Sequence, residues 1–178
     1  ADRWYKRKAI STIGTSSCEK YSNIIHIYIN NMDPGSIGSD ETICQNTAPL
    51  QFTSVDATGD GTITYQWQNS TDGTNYSNIN GATSSTYQAP ALTQDTWYQR
   101  VATSTLYSET CTEISNSIAV TVNNVDPGSI ADNDTVCEGG TPALITSTAS
   151  GVVDGTLSYQ WQSHTASSSY SNISRSEE

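Results

Sequence analysis

The strongest constraint on the fold is an internal repeat with a period of 93 residues, and a repeat of this size decides the architecture before any local pattern does. Residues 33–37 have the sequence DPGSI and recur unchanged at residues 126–130. Residues 1–31 match residues 94–124 at 13 of 31 positions with the same spacing. The chain is therefore composed of copies of one structural unit.

The repeat also divides the chain. After one inserted residue the spacing becomes 94, so that residues 65–68 (YQWQ) match residues 159–162. These spacings predict three parts: residues 1–31 are the C-terminal half of one module, residues 32–124 are a complete module, and residues 125–178 are the N-terminal half of a third.

Each module has the pattern of half-buried β-strands. Apolar and polar residues alternate over residues 62–68 and again over residues 118–122, which is the period of two that places one strand face in a core. Turn signals such as DPG at residues 33–35 and GDG at residues 59–61 separate the short strands. The predicted fold class is all-β, with tandem β-sandwiches.

The sequence resembles the tandem immunoglobulin-like or PKD-like modules of large surface proteins from Bacteroidota. The resemblance rests on residues 33–37 (DPGSI), 42–44 (TIC), 64–73 (TYQWQNSTDG), 92–98 (LTQDTWY), 115–116 (SN) and 120–123 (VTVN). It implies immunoglobulin-like sandwiches, a cell-surface or extracellular location, and a spacer, adhesin or filament role without an enzymatic reaction.

Composition excludes several classes of partner. The formal net charge is -11 at pH 7, which disfavours nucleic acid because phosphates require a basic surface. No apolar run approaches the roughly 18 residues of a membrane span. Neither histidine, His26 or His164, belongs to a repeated catalytic set, so we expect no enzyme activity and no cofactor. We expect no metal site either, although residues 56–62 resemble a calcium loop, because the next module retains only Asp154 of its acidic residues.

Four cysteines without a CxxC pair favour disulfides in an oxidising compartment. Cys44 and Cys111 bracket the complete module, so the sequence predicts a bridge between them. By the repeat, Cys137 then pairs with a residue equivalent to Cys18, either on a neighbouring chain or in continuing chain. We expect a bridge from Cys137 of one subunit to Cys18 of the next.

Aromatic residues and sequons supply the remaining candidate sites. All four tryptophans occupy repeat-equivalent positions, so we expect them in the cores: Trp4, Trp67, Trp97 and Trp161. Four Asn-x-Ser/Thr triplets are possible glycosylation sites in exposed turns: Asn69, Asn75, Asn133 and Asn172. Tyr28 and Tyr107 are aromatic in one copy only, and they are candidates for an alternative role as a carbohydrate-binding accessory module.

A half-sandwich leaves core positions and strand edges open, so each half requires completion by a neighbouring subunit or by continuing chain. Residues 1–31 carry five basic and two acidic residues, a balance of +3, whereas residues 125–178 carry one basic and seven acidic residues, a balance of -6. Opposite charges favour contact between copies in head-to-tail order, with surface glycans as further partners.

Overall fold

The structure is a computed structural model, and it describes residues 1–131 and 133–174. The prediction of an all-β chain is confirmed, since these residues form twenty strands and no helix. Asp132 and residues 175–178, which contribute to the acidic charge of the C-terminal half, lie outside the described residues.

Residues 1–31, here called the N-terminal segment, form two separate antiparallel pairs, β1 with β4 and β2 with β3. The strands are β1 (Arg3–Tyr5), β2 (Lys8–Ile13), β3 (Ser16–Tyr21) and β4 (Ile25–Ile27). The segment has no layer packed over it, and most of its side chains are exposed.

Residues 32–124, the central module, contain the main sheet. Its strands are β5 (Met32–Asp33), β6 (Ser36–Ile37), β7 (Glu41–Cys44), β8 (Ser54–Val55), β9 (Thr58–Gly59), β10 (Thr62–Ser70), β11 (Ser77–Asn78), β12 (Thr96–Leu106), β13 (Glu109–Ile114) and β14 (Ile118–Asn123). The six-stranded sheet has the order β11-β10-β12-β14-β7, and β13 also pairs with β12. All its pairings are antiparallel except β14 with β7.

Short strand pairs, β5 with β9 and β6 with β8, together with a bridge between Phe52 and Tyr87, cover the inner face of this sheet. The core between the layers is aromatic at its centre, where Phe52 lies 4.9 Å from Tyr98 and 5.9 Å from Trp67 between ring centroids. The predicted alternation in β14 is observed, because Ile118, Val120 and Val122 are buried while their neighbours are not. The arrangement is a sandwich-type fold.

Residues 125–174, the C-terminal segment, repeat the first pairings of the central module. Their strands are β15 (Val125–Asp126), β16 (Ser129–Ile130), β17 (Ser147–Ala149), β18 (Val152–Val153), β19 (Gln162–Ser163) and β20 (Ser171–Asn172). The pairs β15 with β18, β16 with β17 and β19 with β20 correspond to β5 with β9, β6 with β8 and β10 with β11. A bulge at Ser129 and Ile130 accommodates the one inserted residue.

The repeated DPG turn starts both of these parts in the same way. The amide of Gly35 donates to Asp33 Oδ1 at 2.8 Å, and the amide of Gly128 donates to Asp126 Oδ1 at 2.8 Å. Both glycines have positive φ, 66° and 74°, and a Cβ there would collide with the carbonyl oxygens of Val55 and Ala149. Glycine is thus required where the chain enters a module.

Candidate functional site: open halves and module junctions

The two outer segments expose the residues that the central module buries. Ile118 is 2% exposed, whereas its equivalent Ile25 is 52% exposed. On the other half, Ile37 is 5% exposed and its equivalent Ile130 is 59% exposed. The same contrast holds for three further pairs: Val120 and Ile27, Val122 and Ile29, and Phe52 and Ile145. The exposed members of these pairs form two faces, here called the open core faces: Ile25, Ile27 and Ile29 in the N-terminal segment, and Ile130 and Ile145 in the C-terminal segment.

In the central module the two halves meet chiefly along one ladder. Strand β10 from the first half pairs with β12 from the second half in nine register positions, from Thr62 opposite Thr105 to Ser70 opposite Trp97. In the N-terminal segment, β2 corresponds to part of β12 and pairs only with β3 among the described residues. In the C-terminal segment, Tyr159 and Trp161 lie before β19 and outside any described strand. Each outer segment therefore holds one side of this ladder.

Two polar contacts also join the halves of the central module. The amide of Ile37 donates to Asn116 Oδ1 at 2.8 Å, and Asn116 Nδ2 donates to the Ile37 carbonyl at 3.0 Å. The side chain of Asn116 therefore pairs with Ile37 as a strand backbone would. By the repeat, Asn23 and Ile130 are the corresponding pair of the open halves.

Arg100 is a fully buried cation that the sequence analysis did not identify as part of the core. Its Nη1 donates to the carbonyl of Ser85 at 2.7 Å, and its Nη2 donates to the carbonyls of Pro34 at 3.1 Å and Val55 at 2.8 Å. The guanidinium carbon lies 4.4 Å from the ring centre of Tyr65. Carbonyl acceptors and an aromatic ring thus take the place of a carboxylate partner. Through them Arg100 of β12 contacts both layers of the sandwich.

The repeat places Arg7 at the position of Arg100, and Arg7 is exposed. The equivalents of the Pro34 and Val55 carbonyls are those of Pro127 and Ala149 in the C-terminal segment. The signal that identifies Arg7 is its identity with Arg100 in the repeat. Arg7 is thus a further candidate contact between an N-terminal segment and a C-terminal segment.

Both module junctions are held by an aspartate and an asparagine. Asp60 Oδ2 accepts from the backbone amide of Asn31 at 2.9 Å and from its Nδ2 at 2.7 Å. Asp154 Oδ2 accepts from the same two groups of Asn124, both at 2.8 Å. The backbone amide and then the side-chain amide of the asparagine hold the pKa of each aspartate below its usual range. Asp60, which lies in the calcium-like loop, therefore has a role in the linker.

The predicted bridge between Cys44 and Cys111 is wrong. Cys44 is opposite Asn123 of β14, and β14 reaches Asn123 only after it has passed Thr96 at the start of β12. Cys111 is opposite Ser104, which lies eight residues after Thr96 in the other direction. At about 3.3 Å a residue the two cysteines are on the order of 30 Å apart, and both are free thiols. A disulfide requires Cα atoms within about 7 Å.

The geometry of the central module also argues against the predicted bridge between Cys137 of one subunit and Cys18 of the next. These residues are the repeat equivalents of Cys111 and Cys44, so they lie at opposite ends of the module that the two open halves would form together. Both are exposed free thiols in the structure.

The tryptophans divide into two groups by strand parity. Trp67 is completely buried, and its Nε1 donates to the carbonyl of Ser84 at 2.9 Å. Its equivalent Trp161 is half-buried, and the Trp161 carbonyl accepts from Ile173 at 2.9 Å. Trp97 follows Thr96 on the outward face of β12, against Gly73, where an added Cβ would lie 3.3 Å from the indole.

The prediction that Trp97 and Trp4 belong to the cores is therefore wrong, because adjacent strand residues point to opposite faces and Tyr98 takes the inward position. Trp4 is 64% exposed and stacks on His26 at 4.1 Å between ring centres. Tyr28 lies 3.7 Å from His26 and 4.8 Å from Tyr107. We call Trp4, His26, Tyr28 and Tyr107 the aromatic row.

The aromatic row crosses from the N-terminal segment to the central module. His26 Nε2 lies 3.1 Å from Asp2 Oδ2, and Asp2 Oδ1 accepts from the amide of Ile29 at 2.9 Å. A side-chain hydrogen bond with Tyr107 is the largest cause that raises the pKa of Tyr28 above its ordinary value, and the electrostatic interaction between the same two residues is the next. His26, Tyr28 and Tyr107 make the row specific to one copy, since their repeat equivalents are not aromatic: Ala119, Thr121 and Gly14.

The four sequon asparagines differ in access. Asn69 is half-buried within β10, between partners on both sides. Asn75 Nδ2 donates to Asp72 Oδ2 at 2.7 Å in an exposed turn, and Asn172 Oδ1 accepts from Gln162 Nε2 at 2.8 Å. Asn133 is exposed. Asn75, Asn133 and Asn172 are thus exposed, and Asn69 is not.

Among the described residues, no helix is long and apolar enough to cross a membrane. No curated protein and no solved structure matches the chain. One family model matches twice, over residues 33–124 and over residues 126–178, and the two matches begin at the equivalent residues Asp33 and Asp126. The chain therefore belongs to the family described as Domain of unknown function (DUF8696).

Proposed function

We propose that this chain is a structural segment of an extracellular filament or cell-surface adhesin, in which immunoglobulin-like sandwich modules follow one another head to tail. Each open half is completed by a neighbouring subunit or by continuing chain. The observation that carries the proposal is the complementarity of the two open core faces, since Ile25 and Ile130 are exposed where Ile118 and Ile37 are buried. The proposed role is mechanical and adhesive, without a catalytic step.

Completion of the halves buries several large apolar side chains at once. Burial of one isoleucine or phenylalanine side chain contributes about 1.5–3 kcal/mol, so a set of five such positions supplies a strong driving force for association. The contact joins two different surfaces, and a heterologous contact of this kind continues as a linear array unless it closes into a ring. The charge balances of +3 and -6 favour approach in this order.

The test is sedimentation velocity of the 178-residue chain over a range of concentrations, with electron microscopy of the same samples. We expect species at multiples of 19.1 kDa and linear particles at high concentration. Association should slow at about 1 M salt, where charges are screened beyond roughly 3 Å. A single 19.1 kDa species at every concentration would contradict completion by neighbouring subunits, and so would a closed symmetric dimer.

Mass spectrometry of native material under reducing and denaturing conditions distinguishes the two ways of completing a half. A polypeptide mass near 19.1 kDa indicates separate subunits that complete one another. A much larger mass indicates continuing chain.

The aromatic row favours a second function, that of a carbohydrate-binding module. Trp4 and Tyr107 are 64% and 72% exposed, and they stand at the two ends of a continuous row of rings. Titration calorimetry with soluble oligosaccharides tests this function. Binding that is lost in both Trp4→Ala and Tyr107→Ala supports it, whereas the same affinity in the variants and the unaltered chain contradicts it.

A further inference from the structure

The two cysteines of the central module lie at its two junctions with neighbouring modules. Cys111 is near the entry to the module, where its Sγ lies 3.5 Å from the carbonyl oxygen of Asn30 in the preceding linker. Cys44 is at the exit, opposite Asn123 in the parallel pair of β7 and β14. The amide of Gln45 donates to the Asn123 carbonyl at 3.1 Å.

Asn30 and Asn123 are equivalent residues of the repeat, 93 positions apart. The cysteine of the following module that corresponds to Cys111 therefore lies against the carbonyl of Asn123. That carbonyl is the one bound by the amide next to Cys44. One oxygen atom thus lies 3.1 Å from the amide that follows one cysteine and, by the repeat, about 3.5 Å from the sulfur of the next.

The junction geometry supports this transfer between copies. Asp60 binds Asn31 at 2.9 and 2.7 Å, and Asp154 binds Asn124 through the same atoms at 2.8 Å each. The chain therefore enters the central module and the C-terminal segment in the same way. A disulfide between two cysteines that lie beside the same linker residue requires their Cα atoms to be about 4.4–6.8 Å apart.

We propose that a disulfide joins consecutive modules, between the Cys44 position of one module and the Cys111 position of the next. The proposal rests on the head-to-tail array described above. Where two chains complete one module, it pairs Cys44 of one chain with Cys18 of the next, and Cys137 of the first chain with Cys111 of the next. The bridge crosses each joint beside the linker, so a pulling force is shared between two covalent connections.

The bond forms by oxidation of two thiols. One cysteine thiolate attacks the disulfide of a thiol–disulfide oxidant, such as oxidised glutathione or an oxidoreductase, and releases one thiol of that oxidant. The second cysteine thiolate then attacks the mixed disulfide and releases the other thiol. Two protons and two electrons pass from the cysteines to the oxidant. The exposure of Cys44, Cys18 and Cys137 allows the oxidant to reach them.

The test uses variants of the full chain that each keep two cysteines and have serine at the other two positions. In glutathione redox buffer, chains that keep Cys18 and Cys44, or Cys111 and Cys137, should form a covalent ladder on non-reducing gels. Chains that keep Cys18 and Cys137, or Cys44 and Cys111, should remain as single chains. A ladder from either of the last two variants would overturn the proposal.

Electron microscopy of the same samples in reducing buffer separates this proposal from the proposed function. If filaments form in reducing buffer but the cross-links join Cys18 to Cys137 or Cys44 to Cys111, the proposed disulfide is refuted. The proposed head-to-tail array is then still supported. Failure to associate in any buffer would refute the assembly of separate chains, and the disulfide is then tested in one polypeptide.

For that purpose two copies of the chain are fused through residues 85–93, which the repeat requires between residue 178 and residue 1. We expect peptide mapping to find Cys44 of the first copy joined to Cys18 of the second, and Cys137 of the first joined to Cys111 of the second. One chain has four cysteines, so the fused pair has eight thiols, of which four then stay free. Eight free thiols, or a bridge between Cys137 and Cys18, would refute the proposal.

Discussion

Substitution of Ile25 by alanine separates the stability of the assembled state from the stability of the chain itself. Ile25 is 52% exposed, and its equivalent Ile118 is 2% exposed within a complete core. Truncation of a buried isoleucine to alanine costs about 2–5 kcal/mol. Because about half of Ile25 is already covered in the single chain, about 1–2.5 kcal/mol of that cost belongs to assembly.

At about 1.4 kcal/mol for each factor of ten, Ile25→Ala should raise the concentration needed for half-assembly by about 5- to 60-fold. The same variant should leave the urea midpoint of the central module unchanged. Ile118→Ala, in contrast, should lower the free energy of unfolding of that module by the full cost of about 2–5 kcal/mol, and its urea midpoint should fall accordingly. Assembly of this variant is measured only on the folded fraction.

Ile10 provides the matched control, since it is 58% exposed and is equivalent to Thr103 on the outward face of β12. Ile10→Ala should leave assembly unchanged, as measured by sedimentation over the same concentrations. Equal shifts from Ile10→Ala and Ile25→Ala would refute the reasoning, because the effect would then follow general hydrophobicity instead of position in the core.

Three further perturbations test separate contacts. Trp67→Ala should lower the free energy of unfolding by about 3–5 kcal/mol and Trp97→Ala by less than half as much, as measured in urea, because only the first indole is in the core. Arg7→Met should weaken assembly more than tenfold, because charge-assisted hydrogen bonds contribute about 1.5–3 kcal/mol each; an unchanged half-assembly concentration would contradict the role of Arg7. The depressed pKa of Asp60 means that its junction contact is fully present above about pH 4 and is lost as pH falls through the lower folded pKa. The linker amide bound by Asp60 should therefore titrate in NMR spectra with a midpoint below about 3.9, and Asp60→Asn should abolish this titration.

The sequence predicted the strands and the repeat because both depend on periodic patterns. Alternation over residues 118–122 is the direct mark of one buried strand face, and the structure has that face in the core. The shared spacing of the DPG turns likewise located the module starts. The turn requires glycine because a Cβ at Gly35 would collide with the carbonyl oxygen of Val55.

Long-range relations were not predictable from the same patterns. The repeat showed that Cys44 and Cys111 recur, but which end of the module each occupies depends on strand direction and pairing. Arginine is a residue type that usually lies on the surface, and the burial of Arg100 depends on carbonyl groups from three distant parts of the chain. Trp97 was misassigned because the repeat conserves outward positions as well as inward ones, and the parity relative to Tyr98 was the signal that could have corrected it.

Hydrogen exchange of the assembled material tests most directly whether the open halves complete one another. In assembled samples, the amides of residues 25–29 and 159–163 should be protected to the same degree as those of residues 118–122 and 65–69. In dispersed chains the first two stretches should exchange rapidly, because their core positions and outer strand edges are open. If residues 25–29 and 159–163 exchange as rapidly in the assembled material as in the dispersed chain, the halves do not form a common sandwich and the account is wrong.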